Sequence, residues 1–171
     1  MLEELQREMF GLDFTLLETE RLLIRPIAKK DAADIFEIRG DQDTADWAGV
    51  RCLKSVDEVK SVIDPERTLS IVLGGEVIGM IETYSGGDEL LYDSLFMGYY
   101  MKKPHRGKGY MTEALTALWG KWTDEGKDIP MLWIFPGNIP SEKVAAKSGW
   151  TYQGSHVVDI NCHNQLVNFY Y

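Results

Sequence analysis

Cysteine, histidine and long apolar runs are all scarce in this chain, and each scarcity removes a class of protein. The only cysteines are Cys52 and Cys162, and the only histidines are His105, His156 and His163. They fall in no paired CxxC or zinc-ligand spacing, so no metal site is expected, and free thiols in a reducing compartment follow. No run approaches the ~18 apolar residues of a membrane span. The opening MLEELQREMF carries three glutamates and fails as a signal peptide. A cytoplasmic protein off the membrane is expected. Positive charge is also short: 18 Lys and Arg stand against 27 Asp and Glu, a net charge of -9. A surface that tracks phosphates needs a basic stripe, so nucleic acid is not an expected partner.

What is present is ordinary for a globular domain: 171 residues, 44% hydrophobic and 26% charged, without internal repeats. One domain over 1–171 is expected, with 1–17 an appendage whose first ten residues place Leu2, Leu5 and Met9 at helical spacing. Arg21 to Arg25 reads as a first strand, followed by a helix over Lys29 to Arg39 that Gly40 closes. Asp41 to Leu53 is polar, holds an isolated Trp47, and reads as a loop over a site. Ser55 to Glu58 is a capping box opening a helix through Ile63. Thr68 to Leu73 and Glu76 to Tyr84 form a hairpin about Gly74-Gly75, and Ser94 to Met101 is a further strand. Met111, Ala114, Leu115, Leu118, Trp119 and Trp122 recur at three- and four-residue steps, the strongest helical signal here. Met131 to Phe135 is a buried strand, Ser141 to Ser148 a short helix with Ser141 as N-cap, and Trp150 to Ile160 and Leu166 to Tyr171 close the chain. This order gives a mixed α/β sheet with helices on its faces.

The stretch HRGKGYMTEAL, from His105, places two glycines and two cations directly before the strongest helix. A helix start leaves about four backbone N–H groups unpaired beside the positive end of its dipole. Gly107 and Gly109 let an anion approach those groups, and Arg106 and Lys108 add countercharge. A nucleotide-hydrolysing P-loop is excluded, since the first glycine of GxxxxGK would fall at Lys102, and GKGYMT lacks the third glycine of a dinucleotide fingerprint.

Three segments, in order, carry a resemblance: ETERLLIRPIAKKDAADIFEI, MGYYMKKPHRGKGYMTEAL and GNIPSEKVAAKSGW. From Glu18 onward the chain resembles the GNAT superfamily of acyl-CoA-dependent N-acetyltransferases, particularly the branch of ribosomal-protein N-terminal acetyltransferases. The resemblance implies a mostly antiparallel sheet with splayed central strands, acetyl-CoA as co-substrate and no metal. It also implies backbone partners for pantetheine at Tyr100, Met101 and Lys102, and a pyrophosphate seat on Arg106, Gly107, Lys108, Gly109, Tyr110 and Met111. Asn138 would hold pantetheine by its amide and Ser141 would lie near the sulfur. Two positions depart from the pattern. Pro104 stands where Gln or Arg is common, and Ala145 stands where many amino-terminal acetyltransferases place a tyrosine acid. Ser141 is then the remaining acid, or a plain helix cap.

Acetyl transfer needs a neutral amine, yet α-amino groups have pKa values near ~8 and lysines near ~10.4, so a proton must leave. Glu82 and Asp93, at neighbouring strand ends, are the candidate bases, with His156 and His163 as outsiders. A backbone N–H near Tyr100 or Met101 would polarise the thioester oxygen. The acceptor is a peptide or small-molecule amine, cationic by preference given the acids at Asp41, Asp43, Asp46, Asp88, Glu89 and Asp93. A monomer or homodimer fits equally. The alternative is a non-catalytic acyl-CoA-binding sensor that keeps the turn.

Overall fold

The computed structural model describes residues 16–85, 94–160 and 163–171. The expected helix over 1–10, the carboxylates Asp88, Glu89 and Asp93, and Cys162 lie outside them. Strands β1 (Leu17–Glu18), β2 (Leu23–Pro26), β3 (Thr68–Leu73), β4 (Glu76–Ser85) and β5 (Leu95–Met101) form an antiparallel sheet in chain order. The hairpin between β3 and β4 turns on Gly74 and Gly75, both at positive φ, as a tight right-twisted hairpin requires. Strands β6 (Leu132–Ile134), β7 (Tyr152–Ile160) and β8 (His163–Tyr170) form a second antiparallel sheet with β8 in the middle. The sheets meet where β5 bridges Met131 in parallel at Phe96. The mixed α/β class and the mostly antiparallel sheet are as expected.

Among the described residues five α-helices flank the sheets: α1 (Ala32–Arg39), α2 (Gln42–Ala48), α3 (Val56–Val62), α4 (Tyr110–Asp124) and α5 (Ile139–Lys147). Helix α4 buries Met111, Ala114, Leu115, Leu118 and Trp122 against Leu22, Ile24, Ile71, Ile81, Met97 and Met101. Burial of each large side chain there contributes about 1.5–3 kcal/mol. On the other face, Ile35 and Ile38 of α1 and Val59 of α3 pack with Val72, Val77, Met80 and Tyr100. The sheet is therefore covered on both faces, and its sides can do different work.

Two expectations are corrected. The segment read as a loop over Asp41 to Leu53 contains helix α2. Asp41 caps it, its carboxylate accepting from the Thr44 N–H at 3.0 Å and the Thr44 hydroxyl at 2.6 Å, and Gly49 at φ 65 closes it. Ser141 is not an N-cap either: Asn138 caps α5, its side-chain oxygen accepting from the Ser141 N–H at 3.4 Å.

Two charged groups buried between the layers, Asp31 and Lys102, are paired. Asp31 receives both guanidinium nitrogens of Arg25 at 2.7 and 2.8 Å, the Ala28 N–H at 2.8 Å and the Ser70 hydroxyl at 3.1 Å. The Lys102 ammonium, almost fully enclosed, meets Asp34 at 2.8 Å and Glu37 and Glu76 at 3.1 Å. Burial would depress its proton affinity, but the three carboxylates outweigh that and hold it above the ordinary lysine range.

Candidate active site

A gap opens along one edge of β5. The Met97 N–H donates to the Met131 carbonyl at 2.9 Å, and the Met131 N–H donates to Leu95 at 2.8 Å. The two sheets share a single bridge there, and β5 continues toward Met101 without β6 beside it. The parity of β5 decides which groups face the gap. The Lys102 N–H is bonded to the Ile78 carbonyl at 2.9 Å, so residues 98, 100 and 102 turn their backbone toward β4. Met97 turns toward β6, and Tyr99 and Met101 follow it. The backbone groups of Tyr100 and Lys102, expected as partners, face β4, and the Lys102 carbonyl accepts the His105 N–H at 3.0 Å. Met101, also expected as a partner, and Tyr99, which the sequence did not single out, turn their backbone toward the gap.

Below the open edge, the chain enters α4 through Gly107 at φ 73 and Gly109 at φ 82. Among the described residues, a Cβ on Gly107 would meet nothing within 4 Å, and one on Gly109 would meet only the Arg21 guanidinium at 3.6 Å. Open space thus lies before the N–H groups that precede the first helical bond, from Glu113 to the Gly109 carbonyl. Arg106 reaches from this turn to the Met101 carbonyl at 2.9 Å and the Thr44 hydroxyl at 2.7 Å. Lys108 forms no ion pair among the described residues. Arg21 adds a cation from the far end of the sequence. It contacts the Lys108 carbonyl at 3.3 Å and the Tyr110 ring at 4.6 Å, and it pairs with Glu113 at 2.6 Å.

The first turn of α5 stands across the gap. The Tyr99 hydroxyl donates to the Ser141 carbonyl at 2.8 Å, so a phenol sits beside the residue expected near the sulfur. Burial pushes the Tyr99 hydroxyl well above the ordinary tyrosine range. Ala145, fully buried in the core, shows why no tyrosine projects from α5 at that position. The cleft joining these parts has a volume of about 790 Å³ and is lined by Tyr99, Met101, Arg106, Gly107, Gly109, Tyr110, Asn138 and Ser141 among others.

On the other face of β4 and β5, Glu82 stands opposite Gly98. Its carboxylate accepts the Tyr100 hydroxyl and, at 3.1 Å, Arg39. Glu82 does not line the cleft; Tyr100 stands between. The other candidate base, Asp93, lies outside the described residues. His156 and His163 are exposed on the β7–β8 hairpin, and the His156 ring packs on Phe169 at 5.3 Å between centroids.

Residues 21–151 match the family model described as an acetyltransferase (GNAT) domain. The chain belongs to the GNAT acetyltransferase family. Solved GNAT structures share its fold. An acetyltransferase of the family from Bacillus anthracis superposes with a TM-score of 0.77 at 20% identity, covering 91% of this chain and 96% of that one. RimL, the ribosomal L7/L12 alpha-N-protein acetyltransferase, solved in complex with coenzyme A, gives 0.69 at 15% identity, with coverage of 91% and 96%. The acetyltransferase AAC(6')-Ib, solved with ribostamycin and coenzyme A, gives 0.67 at 18%, with coverage of 88% and 93%. No curated protein matches the chain.

In this acetyltransferase, sequence reasoning missed Tyr99, Arg21 and the helical setting of Trp47. The register of β5 selects Tyr99, and a local pattern does not fix register. Arg21 arrives at the turn from 87 residues away, as its contact with Lys108 shows. The α2 signal was present: Asp41 three residues before Thr44, and Gly49 just past the end. Asp41 and Asp43 also prove less available than their charge implied, because Lys103 pairs with them at 2.7 and 3.0 Å. The Lys103 and Thr44 contacts pull the Asp41 carboxyl down to about 2. Among the described residues no helix is long and apolar enough to cross a membrane.

Proposed function

We propose that the protein transfers the acetyl group of acetyl-CoA directly to a primary amine. The observation that carries this reading is the alignment of one open strand edge, Tyr99 and Met101, with the two-glycine entrance to α4. The strand edge suits the amides of pantetheine as a surrogate strand, and the turn suits a pyrophosphate. Arg106, Lys108 and Arg21 supply countercharge at that end, and the N–H groups of Gly107, Lys108, Gly109, Tyr110 and Met111 supply donors. The side-chain oxygen of Asn138 caps α5, which leaves its amide N–H₂ to face the pantetheine. Arg106 exchanges its bond to the Met101 carbonyl for the phosphate, freeing that carbonyl for the pantetheine.

The amine nitrogen attacks the thioester carbon, a C–N bond forms, and the electron pair moves to oxygen, which a backbone N–H of the open edge stabilises. Collapse breaks the C–S bond. The ammonium proton passes to solvent and the thiolate takes up a proton, so ammonium and acetyl-CoA yield amide, free CoA and one proton. Glu82 acts through Tyr100 as a positioning residue, since both its oxygens are engaged. Asp93 remains the proposed alternative base. Direct transfer is favoured because no cysteine lines the cleft among the described residues, and Cys52 is buried with its thiol on the Gly40 carbonyl.

Ser141 is the proposed hydroxyl at the departing sulfur. Since Asn138 does the capping, Ser141→Ala is expected to change stability by no more than about 0.5 kcal/mol. It is expected to lower kcat roughly tenfold or more with KM nearly constant, the pattern of a contact made only in the transition state. Steady-state kinetics beside a melting curve checks this. Unchanged kcat would transfer the role to Tyr99 or water. Release of CoA thiol that depends on added amine tests the reaction itself and separates it from a non-catalytic acyl-CoA sensor.

A further inference from the structure

Parity divides the cleft into two chambers. Met97, Tyr99 and Met101 point to the α4 and α5 side, whereas Gly98 and Tyr100 share the opposite face of β5, where Tyr100 packs with α1 and Phe96 packs with Val158, Val167 and Phe169 of β7 and β8. On that second side the wall is aromatic. Tyr84 lies opposite Phe96 on β4 and meets the Trp133 ring edge-on at 6.3 Å, and Trp133 meets Phe135 at 6.1 Å. Trp47, half-exposed on α2, lines the same cleft. The floor is Gly98. A Cβ there would stand 3.2 Å from the Tyr100 hydroxyl oxygen, so the missing side chain is what opens a path from the cleft to that oxygen.

The Tyr100 hydroxyl donates a hydrogen bond to Glu82, and Arg39 fixes Glu82 from behind. Its oxygen lone pairs are therefore presented as an acceptor, with the Glu82–Arg39 ion pair behind it. A cationic nitrogen fits there, and aromatic faces attract it as well. Resting on the proposed acetyl transfer, we infer that the second chamber is the acceptor subsite and takes a primary amine borne on an aromatic or bulky apolar group. The ammonium sits over Gly98 on the Tyr100 oxygen, and the apolar group lies among Trp47, Tyr84, Trp133 and Phe135. A polyhydroxylated amine would leave most of its hydroxyls facing ring carbons, with only the Tyr84 hydroxyl and the indole N–H groups of Trp47 and Trp133 as polar groups in that wall, a basis for rejection.

The test uses the full-length protein saturated with CoA or acetyl-CoA. Phenethylamine, ethanolamine, an aminoglycoside and a short peptide beginning with phenylalanine are titrated while tryptophan fluorescence is followed, and kcat/KM is measured for each. Phenethylamine or the peptide is expected to exceed ethanolamine at least about tenfold in both affinity and kcat/KM. Which of the two leads tells a free amine from a peptide terminus. Gly98→Val is expected to remove this advantage while the Kd for acetyl-CoA stays within about twofold, because the donor lies on the other chamber's side. Trp47→Ala, at an exposed position, is expected to weaken phenethylamine about threefold or more and serves if Gly98→Val fails to fold. Phenethylamine that binds tightly without being acetylated upholds the subsite and refutes the transfer. Acetylation that favours ethanolamine or the aminoglycoside, or phenethylamine binding unaltered by both substitutions, overturns the subsite.

Discussion

Gly109→Glu is expected to raise the Kd for acetyl-CoA by at least about 100-fold, or ~2.7 kcal/mol, while leaving a folded protein. Gly109 sits at φ 82 as the residue before α4, and among the described residues an added Cβ would meet only the Arg21 guanidinium, at 3.6 Å. The fold therefore has room, and the backbone cost of a non-glycine residue in the left-handed region is roughly 1–2 kcal/mol. For a chain of this size that is a fall in Tm of roughly 2–8 °C. The anion seat suffers more. A carboxylate would occupy the space before the unpaired N–H groups, cancel the dipole's attraction and engage Arg21, all at the expense of the pyrophosphate. Calorimetry beside a thermal melt separates the two effects. Unchanged affinity in the folded variant would remove the pyrophosphate from this turn.

Asp31→Ala is expected to be the most destabilising single truncation outside the apolar core, by about 3–5 kcal/mol. It would strand the Arg25 guanidinium and leave the Ala28 N–H and Ser70 hydroxyl without their acceptor. Burial alone would raise the Asp31 pKa, but the Arg25 fork, the Ala28 N–H and the Ser70 hydroxyl hold the carboxyl below the usual aspartate range. Because the folded-state value lies below the unfolded one, this stabilisation is fully present above the unfolded pKa near ~3.9 and is lost as pH falls through the folded value. The gap between wild type and variant in denaturant midpoints should hold from neutral pH to about pH 5 and narrow under stronger acid. A gap that widens on acidification would mean that Asp31 is not the charged partner.

The sequence made the scaffold legible where one physical signal dominated. Three- and four-residue apolar spacing located α4, and the Gly74-Gly75 pair located the hairpin. The glycine turn before α4 was equally plain, because only an anion site or a tight turn explains bare backbone beside two cations. Helix α2 was misread because its polar surface hides periodicity, and only its cap residues declare it. The choice between Asn138 and Ser141 as cap was ambiguous by residue type, though Pro140 in the first turn favours the earlier start that the structure adopts. Tyr99 and the chamber over Gly98 depend on strand register and on which face each side chain takes. Those are settled by packing between distant elements, so the turn proposed for the donor was readable and the chamber proposed for the acceptor was not.

The central claim is that a donor on one side of the β5–β6 gap and an amine on the other meet through it. The most direct measurement is CoA thiol release from acetyl-CoA across a panel of primary amines, with the product mass determined in the same reaction. The account predicts one acetylated amine per CoA released, with kcat/KM rising with pH from 6 toward about 8–9 as the ammonium loses its proton. Saturable acetyl-CoA binding without amine-dependent thiol release at any pH would contradict it.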